Sequence, residues 1–330
     1  MQEADIRPAE MFKESLRLDQ EDIARVLAHR SQFVRVSCPA CDSALSEPAF
    51  EKSGFLYERC GECRTLYVNP RPSMEVLSEH YRNSLTIEYW NENIYPASEE
   101  VRRNNIFAPR ARRVVEICKA RDVGLGSLLD IGAGFGTFLE ELQKLNLFEA
   151  LYAVEPSSKL ADTCRKKGLA VMEELAENLK IDAPVDVITN FELIEHLFEP
   201  LAFLKHCHRL LKPGGLMILT TPNILGFDLL VLGALSDNIG APNHINYFNP
   251  LALKILMQSA GFTVLETLTP GELDVDIVKN KIKSGEFDVS TSPFLKEVLV
   301  ERGDSLGGAF QKFLADNLLS SHMWVVAQRI

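Results

Sequence analysis

The chain has 330 residues, of which 46% are hydrophobic and 25% are charged, a composition typical of a globular protein with one large or two modest domains. Its formal net charge of −11 disfavours nucleic acid as a partner, because nonspecific nucleic-acid affinity comes mainly from clustered Lys and Arg. The sequence has no apolar run of about 20 residues that would cross a bilayer, and its N-terminus is polar and acidic, so we expect a cytoplasmic protein without membrane insertion that acts on a small molecule.

The first 122 residues are predicted to form three segments ahead of the main domain. Residues 1–33 show weak helical periodicity and are predicted to form a helical arm. Residues 34–72 are turn-rich, hold two cysteine pairs and end in a rigid run with two prolines. Residues 73–122 are predicted to form a helical cap or lid, which also carries Arg102, Arg103, Arg110, Arg112 and Arg113.

Four aromatic residues of the predicted cap are candidates for binding a ligand ring: Tyr81, Tyr89, Trp90 and Tyr95. Aromatic faces suit sugars and other rings, which makes this stretch a candidate substrate wall. An interpretation as core aromatics is equally good for each single residue.

The two cysteine pairs predict a metal site. Cys38 and Cys41 form one Cys-x2-Cys motif, and Cys60 and Cys63 form a second one eighteen residues later. Four thiolates at this spacing can close a tetrahedral site around zinc. Four protein ligands leave no open position for a substrate, so we interpret the site as a structural zinc ribbon. A redox pair or an iron site has no further support in the sequence.

From residue 123 to residue 330 the pattern predicts one α/β domain with a parallel sheet. Short apolar runs of strand length alternate with amphipathic helical windows. The predicted strands are Leu128–Ile131, Leu151–Glu155, Ala170–Met172, Val185–Asn190, Leu216–Thr220, Phe262–Thr267 and His322–Ile330. The predicted helices between them include Thr137–Leu145, Lys159–Lys167 and Leu201–Leu211.

The first of these strands runs into a glycine-rich turn that predicts a nucleotide-like ligand. Asp130 lies near the strand end, and the turn that follows contains Gly132, Ala133, Gly134 and Gly136. Glycines allow the backbone to pass close to a ligand at the carboxyl end of a strand, beside a helix N-terminus. Dinucleotide-binding dehydrogenases also place a glycine loop here, but this loop lacks their G-x-G-x-x-G spacing.

A second acid supports a ribose-containing ligand. Glu155, followed by Pro156, ends the next predicted strand. An acid at this place can accept both hydroxyls of a ribose, and Asp130 near the loop can hold a cationic amino group. The competing interpretation is that both acids only cap turns or helices.

With these motifs the sequence resembles the class I S-adenosylmethionine (SAM)-dependent methyltransferases from Leu128 to the C-terminus. The resemblance extends to Val185–His196, to Leu210–Ile218 with its Lys-Pro-Gly-Gly turn, and to Ala260–Phe262. It implies a Rossmann-like, mostly parallel sheet of seven strands, and a turn at 212–215 that serves architecture. It further implies that Asn190 and Phe191 border the methionine end of SAM, and that residues 175–178 lie near the adenine.

Three residues after the fourth predicted strand of this domain are candidates for a catalytic divalent ion such as Mg²⁺. Glu192, Glu195 and His196 share one face if a helix begins there. The pattern is similar to that of ubiquinone-pathway O-methyltransferases and small-RNA 2′-O-methyltransferases, in which it holds a metal beside vicinal oxygens; His244 offers a fourth ligand. Two alternatives remain, that His196 acts as a metal-free general base or that the motif is structural.

A zinc ribbon ahead of such a domain is also similar to bacterial sugar and polysaccharide-pathway methyltransferases. The C-methylating members of that group carry a further C-terminal domain, for which 330 residues leave no room, so we expect O-methylation of a sugar, a nucleotide sugar or another vicinal diol. Two other classes of function stay open: a zinc-ribbon methyltransferase for rRNA or tRNA, which predicts salt-sensitive RNA binding, and a non-catalytic SAM-binding scaffold.

Overall fold

The computed structural model describes residues 2–330, which form two compact units. The first unit consists of the N-terminal residues up to Ala97, Thr221–Leu253 and Leu268–Trp324. The second consists of Ser98–Thr220, Lys254–Thr267 and Val325–Ile330. None of the helices formed by residues 2–330 has both the length and the apolar character that crossing a membrane requires.

The main sheet has seven strands. They are β4 (Ser127–Ile131), β5 (Ala150–Val154), β6 (Ala170–Met172), β7 (Val185–Phe191), β8 (Leu211–Pro222), β10 (Phe262–Leu268) and β11 (His322–Arg329). Their spatial order is β10-β11-β8-β7-β4-β5-β6, and the pairs β4–β5, β4–β7, β5–β6 and β7–β8 are all parallel. All the predicted strands are therefore present, in a sheet of the predicted class.

Burial explains why these strands were recognisable in the sequence. Six of the seven residues of β7 are buried, and so are four of the five residues of β4. A parallel sheet is covered by helices on both faces, so its central strands are nearly continuous apolar runs. The flanking helices are α6 (Ala108–Ala120), α7 (Thr137–Leu145), α8 (Ser158–Lys166), α9 (Pro200–Leu210) and α11 (Pro250–Ser259).

A second, smaller sheet lies in the first unit and contains the cysteine pairs. It consists of β1 (Ser46–Lys52), β2 (Phe55–Cys60), β3 (Leu66–Val68) and β9 (Asn246–Tyr247), in that order. The first three strands follow one another along the chain, whereas β9 comes from a distant segment and pairs antiparallel with β3.

The remaining helices of the first unit flank this sheet in the sequence. They are α1 (Glu3–Ile6), α2 (Ala9–Leu27), α3 (Met74–Asn83), α4 (Leu85–Tyr89), α10 (Phe227–Leu232), α12 (Asp274–Lys283), α13 (Pro293–Leu295) and α14 (Gly303–Asp316), while α5 (Tyr95–Arg102) crosses into the second unit. The start of α4 is fixed by the buried carboxylate of Asp22, which accepts hydrogen bonds from the main-chain N–H groups of Leu85 and Thr86 at 3.1 and 2.9 Å. A negative charge at a helix N-terminus satisfies donors that the helix itself leaves open.

Candidate active site and metal centre

The order of the main sheet creates a crevice at one place. Strand β4 has β5 on one side and β7 on the other. The chain first builds the sheet outward on the β5 side and later returns to build it on the β7 side, so the strand order reverses at β4. In open α/β sheets, ligands bind at such a switch point, outside the carboxyl ends of the strands. The glycine loop follows β4 directly, and Asn190 and Phe191 end β7. The predicted cofactor residues of these two strands therefore lie at the two sides of one switch point.

The backbone of the glycine loop requires glycine at specific positions. Gly136 precedes α7 with φ of +68°, and a Cβ there would lie 2.6 Å from a methyl group of Leu169 and 2.9 Å from the sulfur of Cys164. Gly134 has φ of +55°, but a Cβ there would meet no atom within 4 Å. Gly136 thus allows close packing, whereas Gly134 borders open space that a ligand can occupy.

Glu155 connects the end of β5 to this loop. Its carboxylate accepts hydrogen bonds from the main-chain N–H of Gly134 and from that of Ser157, both at 2.9 Å. Burial raises the pKa of Glu155 above its ordinary value, and these two hydrogen bonds act in the opposite direction. Pro156, the next residue, is exposed.

Asp130 lies inside β4 and is almost completely buried. The hydroxyl of Thr189 on β7 donates to its carboxylate at 2.7 Å. Burial raises the pKa of Asp130 to about 7; the Thr189 hydrogen bond and the charge of Arg110 lower it, and the charge of Glu155 raises it further. A buried carboxyl group with a pKa near neutrality is typical of a site that receives a cation or a proton.

An amide, an aromatic ring and a cation lie around the end of β7. The Asn190 side-chain amide donates to the carbonyl of Ile131 at 3.1 Å, and its buried carbonyl oxygen has no hydrogen-bond partner among the described residues. The Phe191 ring packs edge-on against Phe138, with ring centroids 4.8 Å apart. The guanidinium of Arg110, on α6, lies 4.3 Å from the centroid of the Phe191 ring.

Arg110 was not predicted as a site residue. The sequence places it among several arginines of the cap, and nothing in its neighbourhood distinguishes it from Arg112 or Arg113. Burial lowers its pKa, while the charges of Glu192 and Asp130 raise it. Its proximity to the acids of the sheet depends on how α6 packs, which is a long-range property.

The segment after β7 differs from the prediction of a helix that presents three ligands. Only Ile194–His196 form a short 3-10 helix, and Glu192 precedes it in the left-handed region with φ of +52°. The carboxylate of Glu192 accepts a hydrogen bond from the Thr220 hydroxyl at 2.6 Å. The premise that Glu192 shares a helix face with Glu195 and His196 is therefore wrong. A helix cannot propagate from a residue at positive φ.

Glu195 and His196 remain close to each other. The Glu195 carboxylate is completely buried and lies 4.0 Å from Nε2 of His196, whose side chain is 24% exposed. A buried carboxylate beside a partly exposed imidazole suits a general base or a metal ligand pair. His244 belongs to the first unit, in Thr221–Leu253, and as a metal or catalytic residue it stays a prediction.

The four aromatic candidates for substrate binding are all half-buried. The Tyr81 hydroxyl donates to the main-chain carbonyl of Asn243 at 2.9 Å. The Trp90 ring packs against Phe12 and Tyr95, with centroids 6.3 and 5.5 Å apart. These contacts give Tyr81, Trp90 and Tyr95 packing roles within the first unit, and substrate contact stays a prediction for these three and for Tyr89.

The four cysteines of the two Cys-x2-Cys motifs converge in the first unit. Their sulfur atoms all lie within 4.8 Å of one another; Cys38 is 3.5 Å from Cys63, and Cys41 is 3.6 Å from Cys60. Tetrahedral zinc with Zn–S bonds of about 2.3 Å places sulfurs about 3.8 Å apart. The four thiols are unlinked by disulfides, so the arrangement fits a closed zinc site.

The two motifs form matching turns. The N–H of Asp42 donates to the carbonyl of Cys38 at 2.9 Å, and that of Arg64 donates to Cys60 at 3.1 Å. Both Asp42 and Arg64 follow the second cysteine of their pair with φ near +60°. Each turn therefore directs two thiols to the same point.

Comparison with known proteins agrees with the predicted fold. A chain from Mycolicibacterium smegmatis named as a probable S-adenosylmethionine-dependent methyltransferase is 39% identical over 94 residues, which are 28% of this chain and 35% of that one. The ubiquinone biosynthesis O-methyltransferase of Maricaulis maris is 38% identical over 117 residues, 32% of this chain and 45% of that one. The mitochondrial enzyme of the same name from Dictyostelium discoideum is 26% identical over 184 residues, half of this chain and 53% of that one.

The chain thus spans about half or less of the length of these relatives. A solved methyltransferase structure from Clostridium acetobutylicum matches with a TM-score of 0.48 at 11% identity, over 73% of this chain and 98% of that one. A family model described as a methyltransferase domain matches residues 96–267, which contain the glycine loop, Glu155 and the end of β7. Because this match extends over more than half of the sequence, the chain belongs to the methyltransferase domain family.

Proposed function

We propose that this protein is a SAM-dependent methyltransferase that O-methylates a small molecule with vicinal hydroxyl groups, such as a sugar or a nucleotide sugar. The observation that carries the proposal is the switch point of the main sheet, where the glycine loop lies beside one buried acid in β4 and another directly after the adjacent strand β5. Relatives named as ubiquinone biosynthesis O-methyltransferases support transfer to oxygen.

The residues at the switch point match the polar groups of SAM. Glu155 is the acceptor for the two ribose hydroxyls, and Gly134 leaves space beside it. Asp130 and the unpartnered carbonyl oxygen of Asn190 are acceptors for the methionine amino group. Arg110 supplies the positive charge for the methionine carboxylate, with its guanidinium placed by Phe191.

When bound, SAM supplies a methyl group on a cationic sulfur. Its transfer to a hydroxyl oxygen would leave the hydroxyl proton to be accepted by a residue of this chain. His196 is the candidate base for that proton, and buried Glu195 stabilises the imidazolium that forms. Holding the two reactants in line is the main task of the protein in such a transfer.

A divalent ion such as Mg²⁺ offers a second way to remove the proton. Glu195 and His196, together with Glu192 and the predicted fourth ligand His244, would hold it, and it would act as a Lewis acid that lowers the pKa of the acceptor hydroxyl. The left-handed backbone at Glu192 and its bond to Thr220 count against Glu192 as a ligand. If no ion binds, His196 accepts the proton instead. In that metal-free version, turnover does not respond to mild chelation, which the closed cysteine site resists.

The test begins with cofactor binding. Titration of the purified protein with SAM and S-adenosylhomocysteine should give saturable binding, and Glu155→Ala should weaken it at least tenfold because a buried acceptor for two hydroxyls is lost. Glu149→Gln is the matched control, since Glu149 is an exposed acid just before β5. Equal affinity in both variants would exclude this site for SAM.

Transfer is then measured with SAM carrying a labelled methyl group. The panel contains nucleotide sugars, free sugars, catechols and unmodified rRNA and tRNA, each with EDTA and with added Mg²⁺. Label on a sugar or a catechol supports the proposal, whereas label on RNA alone supports the RNA class. SAM binding without transfer to any acceptor would support a scaffold. Activity that is lost with EDTA and restored by Mg²⁺ would identify the metal-assisted version.

We also propose that the four cysteines bind one structural zinc ion per chain. Elemental analysis of the purified protein should find about one zinc, retained during mild chelation because the site is closed by four thiolates. Cys60→Ser should lose the metal, whereas Cys207→Ser, at a buried cysteine of α9, should keep it. Full metal content in Cys60→Ser would contradict the proposed ligand set.

A further inference from the structure

The cysteine module, residues 38–71, is connected to a distant stretch of the first unit, residues 236–249. That stretch follows β8 in the sequence, contains His244 and ends at the start of α11. The contacts between the two involve main-chain as well as side-chain groups, and most are buried.

Strand pairing forms the centre of this connection. Leu66 and Tyr67 of β3 pair with Tyr247 and Asn246 of β9. Just beyond the pair, the N–H of Val68 donates to the carbonyl of Ile245 at 3.0 Å. A two-residue strand is too short to be stable alone, so β9 depends on the sheet of the cysteine module for its conformation.

Side chains of the module hold the same stretch at further points. The Lys52 ammonium donates to the carbonyl of Ser236 at 2.5 Å, and the N–H of Ala241 donates to the Tyr57 hydroxyl at 2.9 Å. The Arg71 guanidinium donates to the Asn246 side chain at 3.1 Å. Tyr57, Arg71 and Asn246 are each at most 1% exposed, so these bonds are protected from water.

One contact reaches a candidate zinc ligand. The side-chain amide of Asn249 donates to the main-chain carbonyl of Cys63 at 2.8 Å, and its carbonyl oxygen accepts from the N–H of Ala252 at 3.0 Å. Asn249 therefore joins the second cysteine turn to the first turn of α11. Displacement of Cys63 would break the first bond.

The other side of residues 236–249 is held by α3. The His80 ring lies 2.9 Å from the side-chain carbonyl of Asn243, and Tyr81 donates to the main chain of the same residue. His244 thus lies between two fixed points, Asn243 on one side and the β9 pairing on the other.

From these contacts we propose that metal binding by the cysteine module orders residues 236–249 and thereby controls binding of the acceptor. The second half of this statement rests on the proposed function, because it takes His244, which lies within 236–249, as a residue that acts on the acceptor. In this proposal the cysteine module supports residues 236–249, and its metal is required for acceptor binding.

The physical basis is the small size of the module. A sheet of three short strands buries too little apolar surface to hold its geometry, and a metal that closes two loops replaces the missing core. Without the ion, the two cysteine turns lose the link through their four sulfurs, and the hydrogen bonds of Cys63, Tyr57 and β3 to residues 236–249 weaken together. The residues proposed for SAM belong to the second unit, so cofactor binding should change little.

The experiment is hydrogen–deuterium exchange of the zinc-loaded protein and of protein treated with a strong zinc chelator. Peptides that cover 240–249 should exchange at least tenfold faster after zinc removal, whereas peptides of α7 should not change. SAM affinity should stay within about twofold. Unchanged protection of 240–249 after loss of zinc would overturn the proposal.

A variant separates the connection from metal binding. Asn249→Asp keeps an oxygen to cap α11 but lacks the donor for Cys63; in the zinc-loaded protein we expect faster exchange of 240–249, a severalfold higher KM for the acceptor and an unchanged Kd for SAM. The matched control is Asn317→Asp, at an exposed helix end. Equal exchange in N249D and wild type would overturn the role of this bond.

The two proposals fail in distinguishable ways. Faster exchange without methyl transfer to any acceptor would leave the metal-dependent ordering standing and refute the enzyme. Methyl transfer with exchange that ignores zinc would support the enzyme and refute the ordering. Proportional loss of SAM binding and acceptor binding would indicate general unfolding instead and would also refute the proposal.

Discussion

Burial of Asp130 favours its protonated form, whereas its proposed function needs the ionised form. Burial raises its pKa to about 7, with partial relief from Thr189 and Arg110. A proposed role as acceptor for the amino group of SAM requires the ionised form. Ligand binding and deprotonation of Asp130 should therefore be linked.

We predict that SAM affinity rises with pH between about 6 and 8 and that binding below pH 7 releases a proton. The folded pKa of Asp130 lies above its ordinary value, so its contribution to stability is complete at low pH and is lost as pH rises through about 7. Calorimetric titration in buffers of different ionisation enthalpy measures the proton. Asp130→Asn should bind more weakly, without this pH dependence.

The control for this prediction is Asp122→Asn, because Asp122 is exposed and its left-handed backbone is tolerated by Asn. It should keep the wild-type pH profile. A profile for Asp130→Asn that still follows the wild type would assign the titration to another group, with Glu155 the next candidate since burial raises its pKa as well.

Two glycines of the loop should respond differently to alanine. Gly136→Ala adds a left-handed non-glycine residue and a collision with Leu169 and Cys164, so it should lower the free energy of unfolding by about 2–4 kcal/mol. Gly134→Ala adds only the backbone cost, about 1 kcal/mol, yet it should weaken SAM binding more than tenfold because its methyl group enters the space reserved for the ligand. Urea unfolding and SAM titration compare the two variants; an unchanged SAM affinity in Gly134→Ala would contradict the assignment of that space.

The predicted bounds of the strands and helices in the α/β domain agree closely with the observed ones. The strand at Ala170–Met172 and the helix at Thr137–Leu145 have the predicted bounds, and most others differ by one residue. Buried parallel strands are apolar throughout, so their sequences carry the signal locally. Strand β8 is longer than predicted because Leu211 already pairs with Val185, before a shift of register.

Other structural features depend on contacts between residues that are distant in the sequence, so the sequence alone does not predict them. Strand β9 is two polar or aromatic residues with no periodicity, and it exists because β3 pairs with it. The left-handed backbone of Glu192 interrupts the expected helix, while its N–H donates to the carbonyl of Thr220 on the neighbouring strand at 3.0 Å. The four cysteines, in contrast, were identified by spacing alone, since metal chemistry fixes that spacing.

A buried pair of acids links the helices of the first unit. Asp228 on α10 is completely buried and lies beside Asp274 of α12, which accepts hydrogen bonds from Ser320 and Gln311 at 2.6 and 2.7 Å. Burial and the charge of Asp274 raise the pKa of Asp228, while hydrogen bonds from Ser321 and Asn238 lower it. Two carboxyl groups in one dry site are stable together when one holds a proton.

We therefore predict that Asp228→Asn is more stable than wild type on the alkaline side of neutrality. Because the folded pKa is raised, the stabilising contribution of Asp228 is present at acid pH and is lost as pH rises through the raised value. Asn cannot ionise, so the variant should lack this loss. Thermal unfolding from pH 5 to pH 9 measures it, with exposed Asp304→Asn as control. A stability difference that does not change with pH would exclude a shared proton.

The distribution of charge over the molecule favours a small-molecule acceptor over RNA. The cysteine module has four basic residues, Lys52, Arg59, Arg64 and Arg71, but most of them are used inside the fold. Arg71 is buried, Lys52 donates to Ser236, and the side chain of Arg59 is half-buried. Only Arg64 of these four is exposed, so the module presents no basic patch to a phosphate backbone.

The resulting prediction is that the protein does not bind RNA at physiological salt, because a net charge of −11 repels phosphates and the cysteine module cannot offset it. Fluorescence anisotropy with labelled rRNA and tRNA fragments, repeated from about 50 to 200 mM salt, measures this. Arg64→Glu should leave the result unchanged if RNA is not a partner. Micromolar binding at the higher salt that Arg64→Glu abolishes would assign the cysteine module to RNA recognition and would replace the sugar-type acceptor with an RNA nucleotide.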